Sequence, residues 1–250
     1  MPMRRRTGLE GNKRARALLR RSIGGHQPPF HPTFLFATEI WAVSGLLYLS
    51  RDDVRAVAIA PGEAREAVLQ AFRDYSAGLN RSVPKSALTL GPGHGFQAMI
   101  AASQADRIAT VKWVSMAPVA TDSPVPGINA LICVSSYDSG APLAILDGDE
   151  ITLVRTAALS AAAASRMAPP TPATIGFVGC GFQAHAHLAA FLDLYPSLTS
   201  ALALSRSRSS AERLVLAASA RGLTAEVVAN ADTLLTRSDI VISMVPGAPE

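Results

Sequence analysis

The chain has 250 residues, 49% of them hydrophobic, enough for one large or two small domains with a real core. Only 17% are charged and 6% aromatic, which excludes a disordered chain and offers no aromatic platform for nucleic-acid bases. The net charge of +4 originates in residues 1–31, where eight Lys/Arg face one acid, Glu10; residues 32–250 are left with −3, so no nucleic-acid partner is expected. Cys133 and Cys180 provide no disulfide framework and fit a reducing cytoplasm.

Residues 1–45 read as a basic, then apolar, extension. Its basic part ends in His26-Gln27-Pro28-Pro29-Phe30-His31-Pro32 and is Arg-rich and acid-poor, without a clean cleavage signal. The apolar run Thr33 to Ser50 approaches the length of a membrane span, but Glu39 near its middle is costly there, so no span is expected.

Residues 46–170 read as a first, α+β domain. Tyr48-Leu49-Ser50 is a short strand, and Ser50 caps a helix through Val57 with Asp52 and Asp53 in its first turn. Apolar residues at helical spacing predict a second helix over 63–79, ended by Gly78 and Asn80. Short β-like runs follow at 87–90, 96–101, 108–116 and 130–135, separated by Pro/Gly turns, and predict an antiparallel sheet. Asp149 reads as the N-cap of a helix to Met167, whose alanine-rich run 157–164 fits close helix packing. Pro169-Pro170-Thr171-Pro172 is a stiff boundary.

Residues 171–250 alternate strand and helix: strands at 174–178, 201–205, 224–228 and 239–245, helices at 182–194, 208–221 and 231–236. That alternation predicts a parallel sheet. The first strand enters Gly179-Cys180-Gly181-Phe182-Gln183-Ala184, the strand–GxGxxA–helix pattern of a Rossmann-type dinucleotide fold. Gly179 makes the turn, Gly181 admits a pyrophosphate to the backbone, and Ala184 lets helix and strand pack closely, with the helix N-terminus facing the anion. A complete fold of this type has about six strands. The chain stops past the fourth, so this domain reads as incomplete, with an apolar edge on its last strand.

Several residues stand out for their chemistry. Arg155, in the first turns of the 151–167 helix, opposes the macrodipole unless an anion sits there. After the second strand, Leu204-Ser205-Arg206-Ser207-Arg208 contains no acid for a ribose 2′-hydroxyl, and Ser205 and Arg206 suit a 2′-phosphate, favouring NADP over NAD. Lys112 shares a strand face with Thr110, Val114 and Met116; it is either an edge-protecting or an anion-binding lysine, and the residues alone favour the edge role. Lys85 is equally ambiguous. His185 and His187, two apart on a helix, cannot share a metal, and no metal site is expected.

From about Leu46 to the end the chain resembles the ornithine cyclodeaminase/mu-crystallin family. The match is carried in order by Val83-Pro84-Lys85, Phe96-Gln97-Ala98-Met99, Val111-Lys112-Trp113-Val114, Asp138-Ser139-Gly140-Ala141-Pro142, Leu146-Asp147-Gly148, Ile151-Thr152 with Arg155-Thr156-Ala157-Ala158, and the glycine turn. The resemblance implies a substrate-binding and dimerisation domain ahead of the Rossmann domain, a homodimer, and hydride exchange between NADP or NAD and a small α-amino or α-imino acid. In its light Lys112 becomes the catalytic lysine that binds the substrate carboxylate. Lys85 is a second carboxylate-binding cation, Met99 lines the pocket, Arg155 binds cofactor phosphate, and Phe182 and Gln183 sit at the pyrophosphate turn. The cyclodeaminase proper uses an aspartate shortly after the fourth strand, where this chain reads Met244-Val245-Pro246-Gly247-Ala248-Pro249-Glu250. An amino-acid dehydrogenase or ketimine reductase is therefore the favoured class. An ornithine cyclodeaminase, a diaminopropionate-forming dehydrogenase and an inactive remnant are the alternatives, the last because family chains continue for several more strands.

Overall fold

The computed structural model describes residues 46–120, 123 and 125–245. The extension read in 1–45, with most of the apolar run, and residues 246–250 lie outside them. The described residues form two compact units. One comprises residues up to Ile59 with Gln70–Thr152, and the other Ala60–Leu69 with residues from Leu153 onward.

The first unit is built on a seven-stranded sheet. In chain order its strands are β1 Leu47–Leu49, β2 Asn80–Ser82, β3 Ser86–Thr89, β4 Gly95–Ser103, β5 Ile108–Met116, β6 Ile128–Ser136 and β7 Pro142–Asp147. Their order across the sheet is β1-β7-β6-β5-β4-β2, with β3 also on β4. The predicted antiparallel pairing holds from β2 to β7, but β1 joins β7 in parallel. Asn80, read as a helix stop, opens β2 instead; the second helix, α2, runs Pro61–Ser76.

Helix α1, Arg51–Ala56, starts as expected: Ser50 and Asp53 form a reciprocal capping box. Leu49, Val54 and Leu146 form the small core on one sheet face, joined by Ile132, Val134, Ala144 and Ile151. Ile151 belongs to the long helix α3, Gly148–Met167. Its cap is a correction to the sequence reading. Asp147, not Asp149, accepts from the helix-start amides of Asp149 and Glu150, at 3.1 and 3.0 Å. The Asp-Gly-Asp triplet offers two caps, and β7 ending at Asp147 decides between them.

The second unit holds a parallel sheet of β8 Thr174–Val178, β9 Ser200–Leu204, β10 Thr224–Val227 and β11 Ile240–Ser243, in the order β10-β9-β8-β11. Helices α4 Phe182–Leu194, α5 Arg208–Ser219 and α6 Ala231–Arg237 connect them. Ile175, Phe177, Leu188 and Phe191 are fully buried at its centre, and Ala157 and Ala161 of α3 pack into the same core. The alanine run therefore serves close packing, as its composition predicts. Asp239 ties the start of β11 to the start of β8: its carboxylate accepts from the amides of Ala173 and Thr174 at 2.8 and 2.9 Å, which holds its pKa below the usual range.

Candidate functional site

In the first unit, β-sheet register brings together three residues far apart in sequence. Met99 on β4 pairs with Lys112 on β5, and Lys112 with Ile132 on β6. Ile132 pairs with Leu146, and Leu146 with Leu49. Cross-strand partners share a face, so Lys112 stands between Met99 and Ile132 in a transverse row that is otherwise apolar. Lys85 reaches the same level by a bulge. Ser82 pairs with Ala101 and Ser86 with Ala98, so three residues of the edge oppose two of β4. The Val83 amide bonds the Ile100 carbonyl at 3.3 Å, leaving Pro84 and Lys85 both opposite Met99. Pro84 has no N–H to lose there.

The placement of Lys112 removes one reading. Its strand is flanked by β4 and β6 along its whole length, so the lysine does not guard a sheet edge. It is half-buried, and its Nζ donates to Thr152 Oγ1 at 2.5 Å. Around the start of α3, Arg51 pairs with both Asp147 and Asp149, and Arg55 with Glu150. Burial and the neighbouring Asp147 carboxylate push Asp149 up, opposed by Arg51, the Ala130 backbone and Lys112. Lys112 therefore lies within electrostatic reach of a carboxylate on the helix that covers its face.

In the second unit the glycine turn has the form its sequence predicts. Gly179 adopts φ +87°, and a Cβ there would stand 2.9 Å from the Met244 carbonyl oxygen. Both its conformation and its contact with the end of β11 demand glycine. Gly181, by contrast, has nothing within 4 Å of the place a Cβ would take, so its backbone faces open space. Helix α4 begins there with no side-chain cap, and its first turn carries no acid. Ala184 is fully buried, and Phe182 is 85% exposed beside the open turn. The Gly179 amide donates to the Leu204 carbonyl at 2.8 Å, so Ser205 and Arg206 leave β9 next to the turn. Burial pushes the Cys180 thiol up to about 11, which removes it as a nucleophile at neutral pH.

Three buried polar atoms in this unit, Thr156 Oγ1, Gln183 Oε1 and Ser238 Oγ, have no hydrogen-bond partner among the described residues, the first two on α3 and α4. Buried polar atoms are ordinarily paired. With an uncapped helix start and an open glycine, the residues present fit a dinucleotide pyrophosphate. Arg155 is exposed and stands eighth in α3, because the helix begins at Gly148 rather than at 150 or 151. The macrodipole argument for an anion beside it loses force, since that field fades beyond the first turn.

Sequence reasoning gave no role to His187 beyond ruling it out as a metal ligand. Fully buried, it faces the Gln183 carbonyl through Nδ1 at 2.7 Å and Ser160 Oγ through Nε2 at 3.0 Å. Burial lowers its pKa, so the neutral ring donates to the carbonyl and accepts from the serine. It thereby ties the residue after the glycine turn to α3. His185, two residues before it, sits instead near Arg213 and Arg221.

A parallel sheet in the order third-second-first-fourth strand, with a glycine turn leaving its first strand, defines the class: a Rossmann-type dinucleotide-binding fold, here in a chain that also carries a largely antiparallel sheet domain. The chain belongs to the ornithine cyclodeaminase/mu-crystallin family, whose sequence profile matches residues 47–248. Alanine dehydrogenase of Archaeoglobus fulgidus is 30% identical over 200 residues, which cover 80% of this chain and 60% of that protein. A solved archaeal alanine dehydrogenase dimer with bound NAD superimposes with a TM-score of 0.73 at 30% identity, over 79% of this chain and 60% of that one. Thermococcus litoralis Δ1-pyrroline-2-carboxylate reductase, solved with NADH and L-proline, gives 0.74 at 26% identity, over 79% and 61%. The chain thus spans about 60% of the length of these relatives.

Proposed function

We propose that the chain is an oxidoreductase that exchanges hydride between a nicotinamide cofactor and a small α-amino or α-imino acid. The observation that carries this reading is Lys112, a half-buried cation in an apolar row on an interior strand. An ammonium is costly to desolvate and gives such a row no packing advantage. It gains a purpose when a carboxylate binds. Lys85, brought opposite Met99 by the bulge, adds a second cation, and Met99 supplies apolar contact between the two. Apolar neighbours lower the local dielectric and strengthen the ion pair that orients the α-carbon.

The bound cofactor supplies the hydride. Gly179, Gly181, Phe182 and Gln183 hold its pyrophosphate, with Arg155 as a phosphate ligand. Ser205 and Arg206, beside the turn and with no acid between them and α5, favour NADP. Assembly as a homodimer is supported by the sheet face opposite Lys112, where Tyr48, Leu88, Ile100, Trp113, Leu131 and Leu143 are all exposed, and by the dimer described for the archaeal alanine dehydrogenase. No helix among the described residues is long and apolar enough to cross a membrane; the two free cysteines fit a cytoplasmic enzyme.

The test is reductive turnover of α-keto acids with ammonia, and of cyclic imino acids, with NADPH and NADH. Lys112→Met is expected to lower kcat/KM by about 100-fold or more while the cofactor Kd stays unchanged. Formation of proline and ammonia from ornithine with NAD alone overturns the oxidoreductase class in favour of a cyclodeaminase.

A further inference from the structure

We infer that Thr152 is a positioning residue for the substrate site, one that fixes the ammonium of Lys112 before substrate arrives; the inference rests on Lys112 being the carboxylate-binding cation. Lysine is a flexible four-carbon stem that loses much rotamer freedom when it is held in one place. A lysine that must hold a carboxylate in one orientation benefits from being ordered in advance. The Lys112 Nζ–Thr152 Oγ1 hydrogen bond of 2.5 Å supplies that order.

The threonine is itself held. Its hydroxyl proton goes to the Gly148 carbonyl one helical turn back, which leaves the oxygen able only to accept from Lys112. Gly148 in turn is pressed onto the sheet: a Cβ there would lie 2.8 Å from Ala130 Cβ and 2.9 Å from the Ala130 carbonyl carbon. Ala130 is on β6, two residues from the Ile132 that pairs with Lys112. A closed circuit therefore runs from β6 through Gly148 and Thr152 to Lys112 and back to β6. Packing alone gives no reason for this hydroxyl, since valine has the same shape and back-bonding hydroxyls slightly weaken helices. The circuit lies wholly within the first unit.

The experiment measures binding of two carboxylate probes, pyruvate and L-proline, by calorimetry on the full chain saturated with NADP or NAD. Thermal melting and cofactor Kd are recorded for each variant. Thr152→Val, which keeps shape and removes the acceptor, is expected to weaken probe binding about tenfold with cofactor Kd unchanged. Thr152→Ser is expected to restore it to within twofold, a rescue that a purely structural threonine would not produce. Thr152→Ala replaces the valine variant should the latter not fold. If probe binding survives Thr152→Val and Thr152→Ala but is lost in Lys112→Met, the positioning role is overturned and the reading of Lys112 stands. If Lys112→Met binds the probes like the wild type, or the wild type binds neither, the reading of Lys112 falls and the positioning role with it.

Discussion

Under the proposed function the glycine turn presents backbone to its ligand, whereas the lysine row presents side chains, and the two tolerate change differently for that reason. At the turn the chemistry is carried by amides and by the missing Cβ atoms of Gly179 and Gly181, so the whole device lies within Gly179 to Ala184. The row is assembled across strands from Lys85, Met99, Lys112 and the helix-borne Thr152. A backbone site fails when its conformation is disturbed. A side-chain site fails when a single functional group is removed, while the fold persists.

That contrast orders the expected effects of substitution. The largest after Lys112→Met is at Gly179. An L-residue at φ +87° costs about 1–2 kcal/mol before its clash with the Met244 carbonyl is counted. Gly179→Ala should therefore lower Tm by at least about 5 °C and abolish cofactor binding. Gly181→Ala sharpens the same point, because space there is open: cofactor Kd should rise about tenfold with Tm nearly unchanged. Equal thermal losses at the two glycines would break the distinction between fold-demanded and ligand-demanded glycine. Next, Arg206→Ala should weaken NADP about tenfold and leave NAD affinity as it is; equal effects on the two cofactors would remove Arg206 from the 2′-phosphate site.

The smallest expected effect concerns His187. Its folded pKa lies below the ordinary imidazole value of about 6.5, so the unfolded chain takes up the proton first as pH falls. Stability from the neutral ring is complete above about 6.5 and is lost between there and the lowered folded value. Melting between pH 7.5 and 5.5 should accordingly fall more steeply in the wild type than in His187→Gln. Parallel slopes would contradict the buried neutral tautomer.

How much was legible in the sequence follows the same division. β8 and α4 match their predicted bounds residue for residue, since a β-branched run, two glycines and an alanine helix signal them locally. Boundaries went wrong where a local signal had two solutions, as at Asp147 and Asp149, or none. The three polar residues of β2 have no alternation to announce a strand, and only pairing with β4 makes them one. The interior position of Lys112 was illegible for the same reason. Strand alternation says which residues share its face, but not which strands stand on either side. Resemblance to family motifs, rather than periodicity, moved Lys112 from edge to site. Neither route reached Thr152 as a partner, because a hydrogen bond across forty residues leaves no mark in spacing.

The edge bulge at Pro84 and Lys85 has a consequence for changes in chain length. Losing one residue at this point would let the strand close up with Ser82 still opposite Ala101 and Ser86 still opposite Ala98. Elsewhere along a strand, a one-residue deletion flips every later side chain to the other face. Position 84 is thus a slack point in the edge, where the strand can shed a residue without exchanging its two faces.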